Sequence, residues 1–398
     1  MINIQSLYNS PNSLEKFYTS FNVSERILLT GHSHQAWPDV AYDGLRQCWN
    51  DAAGLIDYKW SKAFEKADAV RNGYKKLMND SNGEIALAAN THDLLLKFLS
   101  AMDWKNRRKI ITTDMEFHTV RRQLDRLSED WIEVVKVRAE PYDDLAERIS
   151  DLVDNNTACV IVSKVLFKNG RIINNLGLVE NKCMEFGTYL LVDAYHVLNA
   201  IPFDICSEGL TNSFITGGGY KYCQLGEGNC FLRIPENCLL RPAFTGWFSE
   251  FSQLAETKFP GEVPYGEGHY RFAGSTYDPV SHYRAAEVFQ FFEENELTPE
   301  ILREVNLHQK QVMADLFDRI DMESKIIKRD NDVPLEASGG FLVLKTKFAG
   351  IISQKLFKHN IYTDYREDHL RLGPAPYISD KKLIYAIEAL QEIVKQIK

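Results

Sequence analysis

The sequence lacks the features that mark several classes of protein. The chain has 398 residues and a formal net charge of −9, and its densest basic cluster is only KNRRK at 105–109. A nucleic-acid partner is therefore not expected. No apolar run approaches the roughly 20 residues of a membrane-spanning helix, and the N-terminus has no basic region followed by an apolar one. We therefore expect a cytoplasmic protein without a membrane partner.

Cysteine patterns typical of disulfides or of metal sites are also absent. The cysteines are odd in number and no two have the C-x-x-C spacing; they are Cys48, Cys159, Cys183, Cys206, Cys223, Cys230 and Cys238. This set predicts reduced thiols in a cytosolic protein, and no metal site is expected. The sequence contains no internal repeat and no low-complexity segment.

Short apolar runs alternate with amphipathic segments through the middle of the chain. Helices are predicted between several of these runs, including one at 142–155, and the predicted strands lie at 84–90, 108–117, 131–140, 157–167, 189–197, 212–218 and 229–234. This alternation predicts an α/β fold with a mostly parallel seven-stranded sheet and helices on both faces. Ligands of such sheets bind at the carboxyl ends of the strands.

The pattern changes near residue 280. Two long helices follow, and then short strands and helices that indicate a smaller α/β unit. We predict a large domain at 41–280 and a small C-terminal domain at 281–398. An N-terminal segment at 1–40 is predicted to pack with the small domain.

Ionisable side chains lie where the predicted strands of the large domain end. Asp193 ends an apolar run and His196 follows it, while Lys221 lies between two glycine-containing turns after the next strand-like segment. A carboxylate at the end of a buried strand is costly without a partner, and the glycines allow a close approach to the lysine. On a purely structural interpretation, Asp193 and Lys221 form a buried ion pair, or Lys221 lies at the surface of a loop. The functional interpretation is one crevice that both residues face.

Four further residues favour the functional interpretation. Thr91 and His92 open a helix after a strand, a place where backbone N–H groups bind anions. Phe117 ends another strand and offers a ring for stacking, and Arg371 is a bidentate donor for a carboxylate. A Schiff-base lysine, a carboxylate for a ring nitrogen, an aromatic wall, an anion site and an arginine together suit pyridoxal phosphate with an amino acid. The residues around Lys221 lack the spacing of a nucleotide-binding loop.

The chain resembles fold-type I pyridoxal-phosphate enzymes of the class V aminotransferase superfamily, and the kynureninase family in particular. The segments that carry the resemblance are LLTGHSHQAWPD (28–39), VDAYHVLNAIPFD (192–204), GGGYKYCQLGEGN (217–229), TGWF (245–248) and TDYREDHLRLGPAPY (363–377). The resemblance implies a fold-type I architecture, pyridoxal 5'-phosphate as cofactor and a homodimer with shared active sites.

The resemblance also implies residue roles. Lys221 would form the Schiff base and move the substrate Cα proton, Asp193 would pair with the pyridinium nitrogen, and Tyr220 would donate a proton. Trp247, Ser275 and Thr276 fall where the family's second subunit reaches the phosphate. The implied cofactor-binding residues are Lys221, Asp193, His196, Phe117, Thr91, His92, Tyr220, Trp247, Ser275 and Thr276; the implied substrate-binding residues are Arg371, His32, Ser33 and His34.

The implied reaction is Cβ–Cγ hydrolysis of kynurenine or a related amino acid, which gives alanine and an aryl acid. GHSHQ at 31–35 and CQLGEGN at 223–229 depart from the kynureninase pattern at the substrate end. A class V aminotransferase or a β-lyase on the same scaffold is the alternative. A desulfurase would need a nucleophilic cysteine near the small domain, and no cysteine follows Cys238. A non-catalytic cofactor-binding protein is the interpretation from another functional class.

Overall fold

The computed structural model describes residues 3–256, 260–320, 322–331 and 333–397. Its α-helices are α1 (Gln5–Tyr8), α2 (Val40–Leu55), α3 (Lys59–Leu77), α4 (Thr91–Ser100), α5 (His118–Ser128), α6 (Leu145–Ser150), α7 (Leu176–Glu185), α8 (Val280–Glu294), α9 (Pro299–Arg319), α10 (Ala349–Phe357) and α11 (Asp380–Lys395). Its strands are β1 (Ile27–Leu28), β2 (Glu84–Ala88), β3 (Lys109–Thr113), β4 (Glu133–Val137), β5 (Thr157–Ser163), β6 (Tyr189–Asp193), β7 (Phe214–Gly218), β8 (Cys230–Ile234), β9 (Lys328–Arg329), β10 (Leu342–Lys345), β11 (Ile361–Tyr362), β12 (Asp364–Arg366) and β13 (His369–Leu372).

Seven strands form the central sheet in the order β2-β8-β7-β6-β5-β3-β4. Strands β7, β6, β5, β3 and β4 pair in parallel, and β8 runs antiparallel to β7 and β2. The apolar run of β5 is buried along its whole length, as expected for a strand covered by helices on both faces. The predicted seven-stranded, mostly parallel α/β sheet is confirmed.

Polar residues lie at or close to the ends of three neighbouring strands at one edge of this sheet. Ser163 of β5 lies beside Asp193 of β6, and Asp193 lies beside Thr216 of β7. Because parallel strands share a direction, their carboxyl ends meet at the same edge, where Lys221 follows β7. This register brings the residues of the predicted site together.

Two helical regions differ from the sequence-based prediction. No helix was predicted at 40–77, where α2 and α3 lie, because the buried positions of α3 include small residues such as Ala63, Ala67 and Gly73 that give a weak apolar period. The helix predicted at 142–155 is shorter, since α6 ends at Ser150. Asp154 then accepts hydrogen bonds from the chain beyond it, which favours a turn over further helix.

A second, antiparallel sheet of four strands has the order β12-β13-β10-β9. β12 and β13 form a tight hairpin whose register places Asp364 directly opposite Arg371. The N-terminal strand β1 pairs in parallel with β11, with Ile27 beside Ile361. The division of the chain into domains near residue 280 stays a prediction. The outer bounds of the predicted N-terminal segment and of the predicted small domain, residues 1 and 398, lie outside the described residues. Across the described part of the chain, no helix has the length and apolar character needed to span a membrane.

Candidate active site

A cavity of about 260 Å³ lies at the carboxyl edge of the central sheet. Its walls come from the ends of β5, β6 and β7, the N-terminus of α4 and the turns that follow β3 and β7. Six of the residues predicted for the site line it: Thr91, Phe117, Asp193, His196, Tyr220 and Lys221. Further lining residues include Asn90, Thr119, Ser163, Phe167, Tyr195, Thr216, Glu227, Gly228 and Cys230.

Lys221 is the buried amine of this cavity and is only 6% exposed. Its Nζ lies 2.7 Å from Nε2 of His196. It also lies 4.7 Å from the centre of the Tyr195 ring and 5.7 Å from that of Phe117. Burial lowers the pKa of Lys221 to about 7, although the nearby Asp193 carboxylate opposes the shift. Roughly half of these amines are therefore neutral near pH 7.

Asp193 and His196 leave hydrogen-bonding capacity in the cavity. One carboxylate oxygen of Asp193 accepts the backbone N–H of Tyr195 at 2.8 Å. Burial raises the pKa of Asp193, while this hydrogen bond and Lys221 act against the rise. Burial lowers the pKa of His196 far below its usual value, and the charge of Lys221 adds to the effect. Nδ1 of His196 is buried and has no hydrogen-bond partner within the described residues.

The N-terminus of α4 forms one end of the cavity. The side chain of Asn90 caps the helix by accepting the N–H of Asp93 at 2.9 Å, and Thr91 begins it. The unpaired N–H groups and the positive end of the dipole of this ten-residue helix favour an anion here. His92 is exposed and does not line the cavity; its Nδ1 lies 3.4 Å from Nε2 of Gln123. The structure thus places Thr91, but not His92, in the site.

Two residues of the N-terminal segment adjoin the lining of the cavity: His34 contacts residues that line it, and Ser33 contacts His34. The ring of His34 stacks on that of Tyr220, with the ring centres 4.8 Å apart. Nε2 of His34 is 3.7 Å from the carboxylate of Glu227, and its Nδ1 is 3.1 Å from Oγ of Ser33. Tyr220 and Glu227 line the cavity, whereas Ser33 and His34 lie outside its walls.

Arg371 is almost fully buried and is bound by residues of its own chain. Its Nε and Nη2 donate to the two carboxylate oxygens of Asp364 at 2.7 and 2.6 Å, and its Nη1 donates to the carbonyl of Phe167. His32 also contacts Asp364, with Nε2 2.8 Å from Oδ1. The arginine predicted to hold a substrate carboxylate therefore already holds a carboxylate of the protein.

The three residues predicted to reach a second subunit lie away from the cavity walls. Trp247 is 42% exposed and packs on Phe248, with the ring centres 4.3 Å apart. Ser275 lines a second cavity of about 660 Å³, which shares Glu227 and two other residues with the first. Thr276 lines neither cavity. Their contact with a partner subunit stays a prediction.

Two further residues of this region are not predicted from the sequence. Glu116 is buried and accepts hydrogen bonds from Oγ1 of Thr113 at 2.7 Å and from N of Ser163 at 3.1 Å, so it ties β3 to β5 beside the cavity. Burial raises the pKa of Glu116 to about 7. Tyr195 lines the cavity, and the centre of its ring lies 4.7 Å from Nζ of Lys221. Glu116 precedes Phe117 in the sequence and Tyr195 precedes His196. Their contacts depend on how the strands pack, so the sequence alone does not indicate them.

Comparison with known proteins gives distant relatives. No model of a protein family matches the chain. A protein of Bacillus subtilis (strain 168) described as the uncharacterized aminotransferase YcbU is 23% identical over 340 residues, which span 83% of this chain and 85% of the relative.

Solved structures share the fold. A mutant of C-DES with glycine covalently linked to its pyridoxal phosphate cofactor has a TM-score of 0.79 at 15% identity and covers 95% of this chain and 99% of its own. The cystine C–S lyase C-DES with its product cysteine persulfide has a TM-score of 0.77 at 16% identity, with coverages of 94% and 98%. The apo cysteine desulfurase of Thermococcus onnurineus NA1 has a TM-score of 0.79 at 15% identity, with coverages of 97% and 98%.

These likenesses confirm the predicted fold class, which is the fold-type I architecture of pyridoxal-phosphate enzymes. The solved structures show the shared fold alone, whereas the Bacillus subtilis relative is described as an uncharacterized aminotransferase. That description agrees better with the alternative interpretation of the sequence, a class V aminotransferase or β-lyase, than with a kynureninase.

Proposed function

We propose that the protein is a pyridoxal-phosphate-dependent aminotransferase of class V that acts on a small amino acid. The observation that carries the proposal is the buried amine of Lys221, which hydrogen-bonds His196 in a cavity that Asp193 also lines. Bound pyridoxal phosphate supplies an electron sink for the substrate Cα. The aminotransferase description of the Bacillus subtilis relative supports this reaction type.

The side chains of the cavity fit this cofactor. Asp193 has one backbone N–H as its hydrogen-bond donor, which leaves carboxylate capacity for a protonated ring nitrogen. The unpartnered Nδ1 of His196 would gain a polar partner in a bound ligand. The ring of Phe117 provides a wall for stacking, and Thr91 at the start of α4 provides the place for the phosphate. These residues and Lys221 would hold the group.

Lys221 is the proposed base. A neutral amine with a pKa near the working pH can accept the substrate Cα proton and return it to an adjacent atom. The hydrogen bond between Nζ of Lys221 and Nε2 of His196, at 2.7 Å, and the ring of Tyr195 hold the amine in place. Aminotransfer needs no nucleophilic cysteine, which agrees with a sequence in which no cysteine follows Cys238. Tyr220 also lines the cavity, and it is the proposed proton donor of the reaction.

A turnover screen tests the proposal. The protein is incubated with pyridoxal phosphate, single amino acids and either pyruvate or 2-oxoglutarate, and amino acids and oxo acids are separated by chromatography. A new amino acid together with a new oxo acid is expected, and Lys221→Ala should form neither. Release of pyruvate and persulfide from cystine, without need of an oxo-acid acceptor, would establish a β-lyase instead. Absence of turnover in every arm would contradict the enzymatic assignment.

Kynureninase-like hydrolysis is the second candidate. It is supported by the segment 363–377 and by Phe117, which both match that family's pattern. Incubation with kynurenine should then give anthranilate and alanine without an oxo acid. The absence of anthranilate under all conditions would exclude this candidate and leave the first one intact.

We also propose a homodimer with shared active sites. Four large apolar side chains in and after α2 are exposed, by 65% at Tyr42, 76% at Trp49, 67% at Ile56 and 84% at Tyr58. Exposed apolar side chains of this kind, close together in the sequence, favour a protein interface. Light scattering coupled to gel filtration should give twice the chain mass. A monomer at every concentration would contradict the proposal.

A further inference from the structure

Arg371 has few donors left for a ligand. A guanidinium carries five N–H groups. Two N–H groups of Arg371 donate hydrogen bonds to Asp364, and a third donates to the carbonyl of Phe167. Asp364 binds the Nε and Nη2 edge of the guanidinium with both carboxylate oxygens. Arginine recognises a ligand carboxylate through the same bidentate geometry. A substrate carboxylate therefore meets an arginine whose charge is already balanced.

The hairpin of β12 and β13 holds the backbones of Asp364 and Arg371 directly opposite each other. Arg366 lies opposite His369 and Asp364 lies opposite Arg371 in the same antiparallel register. Directly opposed residues of opposite charge attract one another across such a pair of strands. The two backbones cannot separate without loss of the hairpin, so Asp364 can leave Arg371 only through rotation of its side chain.

Asp364 has other partners already in place. Nε2 of His32 is 2.8 Å from its Oδ1, and Nη1 of Arg366 is 3.2 Å from its Oδ2. If the carboxylate turns away from Arg371, it keeps an imidazole N–H and a second guanidinium. Departure from Arg371 therefore does not leave the carboxylate as an unpaired charge, which would be costly at this depth.

We propose that Asp364 is an internal competitor of the substrate: its carboxylate holds Arg371 when no substrate is bound, and gives way to the substrate carboxylate by shifting to His32 and Arg366. This inference rests on the proposed function and on the role that the family resemblance implies for Arg371, which is to bind the carboxylate of an amino-acid substrate. The apparent dissociation constant of such a ligand is raised by the reciprocal of the fraction of molecules in which Arg371 is free.

The charge states agree with this exchange. Burial would raise the pKa of Asp364, but hydrogen bonds from His32 and Arg371 outweigh it and hold this pKa far below its usual value, so the competitor is ionised at every working pH. Burial lowers the pKa of His32 to about 4, so its imidazole is neutral near pH 7 and serves as a hydrogen-bond donor. The cationic groups that contact Asp364 are Arg371 and Arg366.

Asp364→Asn tests the exchange in the pyridoxal-phosphate-loaded protein. Binding of L-alanine and of L-alaninamide, which lacks the carboxylate, is followed by the change in cofactor absorbance on mixing rather than by turnover. The variant should bind L-alanine at least ~10-fold more tightly, a gain of ~1.4 kcal/mol, and L-alaninamide with unchanged affinity. Weaker or equal binding of L-alanine would overturn the proposal. Asp368→Asn, in the turn of the same hairpin, is the matched control and should behave as wild type.

A second variant covers the case in which Asp364→Asn does not fold. Arg366→Gln removes a partner that receives the displaced carboxylate, so it should weaken binding of L-alanine about threefold, the worth of one exposed ion pair. Lys345→Gln is the control, because it removes the same charge from a neighbouring strand without a contact to Asp364. Equal or tighter binding by Arg366→Gln than by this control would overturn the proposal. A wild-type protein without a cofactor band, or without a response to either amine, would instead overturn the proposed function together with this inference.

Discussion

The burial of Lys221 predicts the pH at which the apoprotein captures pyridoxal phosphate covalently. Only a neutral amine attacks the aldehyde of the cofactor. The ordinary pKa of a lysine, 10.5, would leave about 3 in 10,000 amines neutral at pH 7. A pKa of about 7 leaves roughly half of them neutral, a gain of ~10³ in the reactive fraction.

The rate of capture therefore has a defined pH profile. Apoprotein is mixed with pyridoxal phosphate over a pH series, and the visible band of the lysine-bound cofactor is followed. The rate should rise about tenfold per pH unit below the pKa of Lys221 and level off above it. Nα-acetyl-lysine in the same buffers is the control, and its rate should keep rising to about pH 10.

A variant at Asp193 provides a second test of the same pH profile. Its carboxylate favours the charged form of Lys221, so Asp193→Asn should move the midpoint of the profile to lower pH. A wild-type rate that rises without a plateau to the pKa of the free amine would refute the claim that burial controls this lysine. An upward shift of the midpoint in Asp193→Asn would refute the assigned interaction.

Two further predictions concern a residue that lines the cavity and a glycine that packs against its lining. Phe117→Leu removes the aromatic face and should weaken pyridoxal phosphate binding in equilibrium dialysis by ~1 kcal/mol, whereas Phe117→Tyr should keep it; equal affinity in Phe117→Leu would contradict stacking. Gly218→Ala would place a Cβ 2.2 Å from the hydroxyl oxygen of Tyr195 and should lower the free energy of unfolding by ~1–3 kcal/mol in urea titrations. Gly54→Ala, whose Cβ meets nothing within 4 Å, is the helix control and should stabilise the protein slightly. An equal response of the two glycine variants would refute the assigned crowding.

The sequence predicts the cofactor end of the site better than the substrate end. Asp193 ends one strand of the parallel part of the sheet and Phe117 follows another, and the common direction of these strands already implies one shared edge. Lys221 follows β7 at the same edge. Local apolar patterns therefore suffice to bring these residues together.

The substrate end depends on contacts between distant parts of the chain. His32 meets Asp364 across more than 300 positions, and His34 meets Tyr220 through ring stacking. No local pattern indicates either contact. The ion pair between Asp364 and Arg371 requires the register of β12 and β13, which a motif match at 363–377 does not reveal.

Covalent attachment of the cofactor to Lys221 is the central claim, and reduction followed by mass spectrometry tests it directly. The protein is loaded with pyridoxal phosphate, treated with borohydride and digested with trypsin. We predict one pyridoxyl phosphate group on the peptide that contains Lys221, and loss of both the label and the visible band in Lys221→Ala. A label on another buried lysine, such as Lys164 or Lys310, or no label at all, would contradict it.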